Sequence, residues 1–217
     1  HHWGYDNMTT VKGLFAAGDA SGASSHKFSS GSFTEGRIAA KAAIAFCVDH
    51  PDLPSISEEQ ISALKEKVLK PLEIYEEHSA YTNDKDVNPN YIKPRMFMFR
   101  LQKIMDEYAG GASVGFKTSE ALLTKGLEYL QYMKEDAEWL AAADLNELMR
   151  CWENVHRMWQ AESHLRTVLF REETRWPGYY FRTDHPEMKK EWEVFANCKW
   201  DPETGEWEMI KRSILEN

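Results

Sequence analysis

The chain has 217 residues, 42% of them hydrophobic and 28% charged, with a formal net charge of -9. That size and balance suit one or two soluble units with real cores. The acidity excludes a nucleic-acid-binding surface, because no basic stripe offsets it. No apolar run reaches the length of a membrane span and no signal-peptide pattern is present.

The first element is a short apolar run, Gly13-Leu14-Phe15-Ala16-Ala17, predicted to be a strand that ends in Gly18-Asp19. A polar loop follows, and Ser29-Ser30-Gly31-Ser32 then opens an alanine-rich helix expected over about 32–48. Ser32 is its predicted N-cap and Glu35 sits at the third helical position. Ile38, Ala39, Ala42 and Phe46 fall at helical spacing as one apolar stripe. Asp49 to Pro54, with two prolines, closes this first segment.

Strand, acidic residue, small-residue loop and helix N-terminus, in that order, are what one rim of a flavin site needs. A carboxylate at Asp19 can accept hydrogen bonds from sugar hydroxyls. A helix N-terminus offers unpaired backbone N–H groups and the positive end of a dipole. These stabilise the negative charge that gathers at the N1/C2=O edge of a reduced flavin. The small side chains of Ser29, Ser30 and Ser32 would let the backbone approach a flat ring. The same residues also read as a plain turn and a capped helix, and the two readings are compatible.

From Ser55 the pattern is helical. Ser57-Glu58-Glu59-Gln60 is a capping box, followed by Ile61, Leu64, Val68, Leu72 and Tyr75 at helical steps, with Pro71 expected to bend the helix. Pro94 can occupy the first position of a second helix, which runs to about Tyr108 and stops at Gly110-Gly111. A third helix begins near Thr118 with Leu123, Leu127, Leu130, Met133, Ala137 and Leu140 as its stripe. A fourth, from Asp144 to Arg171, carries Leu145, Leu148, Trp152, Val155, Trp159, Leu165 and Leu169. Together they predict a small antiparallel bundle. In the tail, two alternating runs at 192–200 and 207–211 flank a Pro- and Gly-containing turn and predict a β-hairpin. The expected fold class is therefore α+β: the end of an α/β domain (1–50), a helical domain (55–171) and a C-terminal extension with the hairpin (172–217).

Cys47, Cys151 and Cys198 are widely spaced with no Cys-x-x-Cys. That argues against a disulfide framework and against iron–sulfur ligation within this chain, and makes all three small core residues in a reducing compartment, so the protein reads as cytoplasmic. The eight histidines are scattered without His-Glu-x-x-His, so no metal site is expected. No Gly-x-Gly-x-x-Gly is present, so the pyrophosphate-binding turn is missing and the chain would hold half a flavin site.

Two motifs carry a family resemblance. Met8-Thr9-Thr10-Val11-Lys12-Gly13-Leu14-Phe15-Ala16-Ala17-Gly18-Asp19 with His26-Lys27-Phe28-Ser29-Ser30-Gly31-Ser32 resembles the flavoprotein (alpha) subunit of dissimilatory adenylylsulfate reductase. This family lies within the fumarate reductase/succinate dehydrogenase flavoprotein superfamily. Arg171-Glu172-Glu173-Thr174-Arg175-Trp176-Pro177-Gly178-Tyr179-Tyr180-Phe181-Arg182-Thr183-Asp184 is similar to that superfamily's Arg-x-Glu-Ser-Arg…Arg-x-Asp signature, with the insertion typical of the sulfur enzymes. The likeness spans essentially the whole chain and matches the C-terminal third of that subunit.

The resemblance implies non-covalent FAD, with Gly18, Asp19, Ser29, Ser30, Ser32 and Phe33 at the cofactor. Asp19 would bind the ribityl chain, and the backbone N–H groups of Ser32 and Phe33 would approach the pyrimidine end. It implies two-electron interconversion of adenylyl sulfate with sulfite and AMP, and an iron–sulfur beta subunit as partner. Dicarboxylate-acting relatives carry His-Gly-x-Asn-Arg before the serine loop, where the arginine grips a carboxylate with a planar fork. Here His26-Lys27 takes that place. His26 becomes the candidate catalytic residue, with loop closure as its plainer role, and a fumarate reductase, succinate dehydrogenase or aspartate oxidase becomes the weaker alternative. A non-catalytic helical docking module is the rival of another class, and the segment alone would be inactive. Arg171, Glu173, Arg175 and Arg182 read as an ion-pair network tying the helical part to the flavin domain, their bearing on substrate left open. Trp176, Tyr179 and Tyr180 fit either an interface patch or burial against the bundle.

Overall fold

The structure is a computed structural model and describes residues 3–21, 28–52, 54–81, 90–175 and 179–214. The chain divides into two units, one up to Glu58 and one from Glu59 onward.

The first unit is organised on helix α1 (Ser29–Asp49). Phe46 anchors its C-terminal half: Tyr5 and Phe15 meet the ring edge-on at 5.3 and 6.2 Å, and His50 stacks on it at 4.4 Å. The Tyr5 hydroxyl also donates to Asp49 (2.7 Å). The strand expected over 13–17 is reduced to one antiparallel bridge, Met8 with Phe15. Gly13 is the reason: at φ +83° it folds the chain back at once, and a side chain there would meet the Phe46 ring at 3.4 Å. The N-cap of α1 falls four residues earlier than expected, at Phe28 rather than Ser32. Of the expected stripe, Ala39 is buried and Phe46 packs, while Ile38 stays exposed.

The second unit holds helices α2 (Glu58–His78), α3 (Pro94–Tyr108), α4 (Glu120–Ala137) and α5 (Leu145–Phe170). Two-residue strands β1 (Lys117–Thr118) and β2 (Phe181–Arg182) pair in parallel, and β3 (Val194–Asp201) with β4 (Glu206–Ser213) forms the antiparallel hairpin. Local chemistry sets the helix ends. Pro94 occupies the first turn of α3, and Gly110 just beyond that helix is left-handed at φ +86°. Ser119 accepts from the Leu122 N–H (3.4 Å) and Asp144 from the Glu147 N–H (2.8 Å) as N-caps. Helix α2 passes unbroken through Pro71, whose buried carbonyl receives the Ala142 N–H at 2.8 Å. The hairpin residues, and the rest of the segment from 172 on, lie in the same unit as the bundle.

Helices α3, α4 and α5 enclose the main core, with Phe97, Leu123 and Leu165 fully buried. Each such side chain contributes about 1.5–3 kcal/mol by leaving water. Gly126 in α4 permits the close approach of its neighbours, since a Cβ there would lie 2.5 Å from Leu165 Cδ2 and 3.0 Å from Tyr108 Cβ. Gly126→Ala should therefore destabilise this unit by about 1–3 kcal/mol despite alanine's better helix propensity; urea midpoints of the two proteins check it.

The buried face of α5 is rotated from the predicted stripe. Leu148, Cys151, Asn154, Met158, Ala161, Glu162, Leu165 and Val168 are buried, whereas Leu145 is 72% and Trp159 49% exposed. Two satisfied polar residues occupy core positions. Asn154 donates to the Pro94 carbonyl (2.7 Å). Glu162 accepts from Lys134 (2.7 Å), Arg166 (2.9 Å) and the Trp207 indole (3.1 Å), joining α4, α5 and the hairpin. Burial pushes the Glu162 carboxyl up, but Lys134 and Arg166 outweigh it and hold the group below its ordinary value. Of the cysteines expected in the core, Cys151 is buried, with its thiol pushed up to about 12 by burial, and Cys198 is only half-buried, beside Ser163. Cys47 is exposed: as the residue after Phe46 it lies about 100° round α1 from the aromatic anchor. No helix among the described residues is long and apolar enough to cross a membrane.

Candidate flavin-rim site

The N-terminal end of α1 gathers most of the residues singled out in the sequence. Its first intrahelical bond runs from the Ser32 N–H to the Phe28 carbonyl (3.0 Å), so the donors of the opening turn belong to Ser29, Ser30 and Gly31. Phe28 supplies no side-chain acceptor to them, and no acidic residue occupies the first turn. The amides of Ser32 and Phe33 are thus helical rather than outward-facing. Ser32 faces the site with its hydroxyl, and Phe33 with a ring that is 81% exposed.

Against this turn lies the short 3-10 segment Gly18–Ala20. Gly18 is buried at φ +67°, and a Cβ there would come within 3.3 Å of Ser32 Oγ. Only glycine combines that left-handed backbone with so close an approach. Glu35, one turn into α1, accepts from the Gly18 N–H and from the Ser21 hydroxyl, both at 2.8 Å. With Phe28 at the N-cap, Glu35 is no longer the third residue of the helix, so the capping-box position expected of it does not arise. Asp19 lies between these two attachment points with an exposed side chain. A shallow concavity of about 540 Å³ beside them is lined by Ser29, Ser32, Phe33, Gly36 and Arg37.

These residues fit one rim of a flavin. The donors, small side chains and neighbouring carboxylate coincide at a single helix end, and the dipole there favours an anionic edge. His26 lies outside the described residues, as does Trp176. Sequence reasoning placed Glu35 on the helix but missed its grip on the preceding turn. The signal was present only as an acidic residue one turn past a serine-rich start, which a cap explains equally well.

The arginine-rich motif forms a separate network inside the second unit. The Glu173 side chain is fully buried. It accepts from the Arg171 guanidinium, from Arg175 through Nε (2.7 Å) and Nη2 (3.1 Å), and from the Lys189 N–H (2.9 Å). Burial pushes its carboxyl up, yet Arg175, the Lys189 amide and Arg171 together hold it below its usual value. Arg171 also donates to the carbonyls of Trp192 (2.8 Å) and Val194 (2.6 Å). Arg182 places Nη1 on the carbonyls of Val168 (2.6 Å) and Leu169 (3.2 Å), capping the C-terminus of α5. Its Nε and Nη2 grip Asp184 at 2.8 and 2.7 Å. Asp184 in turn receives the Glu120 N–H at the start of α4 (2.8 Å). The Arg182 bond holds the Asp184 carboxyl far below the ordinary range, against the smaller opposing effect of burial. In the described residues these groups bind helix ends and the hairpin to one another. Tyr180 packs against the bundle core, and Tyr179 is exposed.

No family model matches the chain. The alpha subunit of adenylylsulfate reductase from Megalodesulfovibrio gigas is 43% identical over 209 residues, covering 96% of this chain and 31% of that protein. The solved adenylylsulfate reductase of the hyperthermophile Archaeoglobus fulgidus is 53% identical with a TM-score of 0.94, over 98% of this chain and 33% of that one. Quinol fumarate reductase FrdA from E. coli, at 17% identity and TM-score 0.68 over 95% of this chain and 34% of its own, shares the fold alone. The chain spans about a third of the length of these relatives.

Proposed function

From a chain homologous along nearly its whole length to the alpha subunit of adenylylsulfate reductase, we propose that it supplies the ribityl and pyrimidine rim of the FAD site in such a subunit. The observation that carries this reading is the uncapped start of α1, with Gly18 pressed against Ser32 and Asp19 held open beside it. The proposed reaction is the two-electron interconversion of adenylyl sulfate with sulfite and AMP, in a cytoplasmic complex with an iron–sulfur beta subunit.

Non-covalent FAD would supply the electron exchange. Asp19 would accept hydrogen bonds from ribityl hydroxyls. The N–H groups of Ser29, Ser30 and Gly31 would face the pyrimidine edge, where they and the dipole of α1 stabilise developing negative charge without reorganising. Ser32 would contribute its hydroxyl and Phe33 an apolar wall. His26 is the candidate to touch the sulfur substrate, and the residues that grip adenine and pyrophosphate would come from polypeptide outside this chain. The sulfur reading is favoured over a dicarboxylate one by the identity, 53% against 17%.

Purified complete subunit with its partner should show flavin absorbance and reduce an electron acceptor in the presence of sulfite and AMP. Succinate-dependent reduction instead would overturn the substrate class. Absence of flavin bands would leave a docking module as the better reading.

A further inference from the structure

The contact between Glu35 and the Gly18–Ser21 turn has no part in the resemblance and none in the capping expected of that residue. Its carboxylate leaves α1 one turn after the exposed donors and accepts from the Gly18 N–H and the Ser21 hydroxyl at 2.8 Å each. These two donors stand on either side of Asp19, one residue before it and two after. The turn is thereby held against the helix, where a Cβ on Gly18 would lie 3.3 Å from Ser32 Oγ. Among the described residues Asp19 itself makes no comparable bond, and its side chain remains exposed. Hydrogen bonds to a charged acceptor are shorter and stronger than neutral ones, so a carboxylate fixes such a turn better than an amide or hydroxyl would.

From this geometry we propose that Glu35 is the positioning residue of the flavin rim, setting the distance between the Asp19 carboxylate and the opening donors of α1. The inference rests on the flavin reading given above. A sugar hydroxyl bound by Asp19 and a ring edge bound by Ser29 to Gly31 belong to one rigid ligand. Both contacts can be made together only if turn and helix keep a fixed separation, and small errors in such a separation are costly. A glutamate that merely steadied the fold would affect stability and leave the environment of the bound ring unchanged.

The test uses the complete subunit with its partner, and titration of flavin-depleted protein with FAD. Flavin fluorescence gives the affinity, and visible-region circular dichroism gives the environment of the bound ring. Glu35→Ala should weaken FAD at least tenfold and alter the visible dichroism. Glu35→Gln, which retains one acceptor oxygen, should fall between, and Ser21→Ala should move both readouts in the same direction by less. Should Glu35→Ala fail to fold, the last two variants decide the matter by the same criteria. Asp19→Ala separates the two layers of argument. If it weakens FAD while the Glu35 and Ser21 variants keep wild-type affinity and dichroism, or lose only thermal stability, the positioning role is overturned and the flavin rim survives. If Asp19→Ala also binds FAD as the wild type does, the flavin reading falls and takes this inference with it.

Discussion

Glu173→Ala is expected to cost the second unit about 3–5 kcal/mol, because it strands two guanidinium groups around an emptied acceptor. Arg171 and Arg175 are themselves largely covered, with side chains 15% and 22% exposed, so water cannot fully replace the lost carboxylate. The Lys189 N–H would lose its partner as well. Glu173→Gln keeps the shape and an acceptor and should cost less. The effect carries a pH signature. The folded carboxyl lies below its ordinary value, so its contribution is fully present above the unfolded value of about 4.3 and is lost as pH falls through the lower folded value. Urea unfolding of wild type and Glu173→Ala should therefore give a constant gap near neutrality that narrows only on the acid side of about pH 4. A gap that closed already at pH 6 would assign the loss to another group.

Arg182→Met should be comparably damaging, by about 3–5 kcal/mol, for a different reason. Methionine can fill the space, but it offers no donor to the carbonyls at the end of α5 or to Asp184. Arg182→Lys should recover only part of the loss, since an ammonium is a single point and cannot serve Asp184 through two parallel bonds while capping a helix. Combining Arg182→Met with Asp184→Asn provides the check. The double variant should be more stable than the sum of the single losses predicts, by about 0.5–3 kcal/mol. Strict additivity would mean that the two side chains do not act as a pair.

Much of this architecture was readable because local rules agree. Pro94, Ser119 and Asp144 start helices where such residues should, and the alternation around Asp201 to Glu206 gives the hairpin. The first unit was less legible. A strand signal at 13–17 is outweighed by the left-handed Gly13, and a four-residue error in the N-cap of α1 transferred the opening donors from Ser32 and Phe33 to Ser29, Ser30 and Gly31. On α5 the apolar pattern misled because Asn154 and Glu162 are interior. A polar side chain whose partners come from α3, α4 and the hairpin cannot be recognised as buried from its own helix. The same applies to Glu35, whose partners precede it by 17 and 14 residues.

The order of the chain gives the Glu173 cluster one more property. Its central carboxylate and both flanking arginines are synthesised before the Lys189 amide and the carbonyls of Trp192 and Val194 that complete their bonding. A nascent polypeptide therefore carries this charged knot open until translation has passed Val194. Helices α3 to α5 can condense early on their own local contacts, whereas the joint between helix ends and hairpin has to wait until the residues through Val194 have left the ribosome.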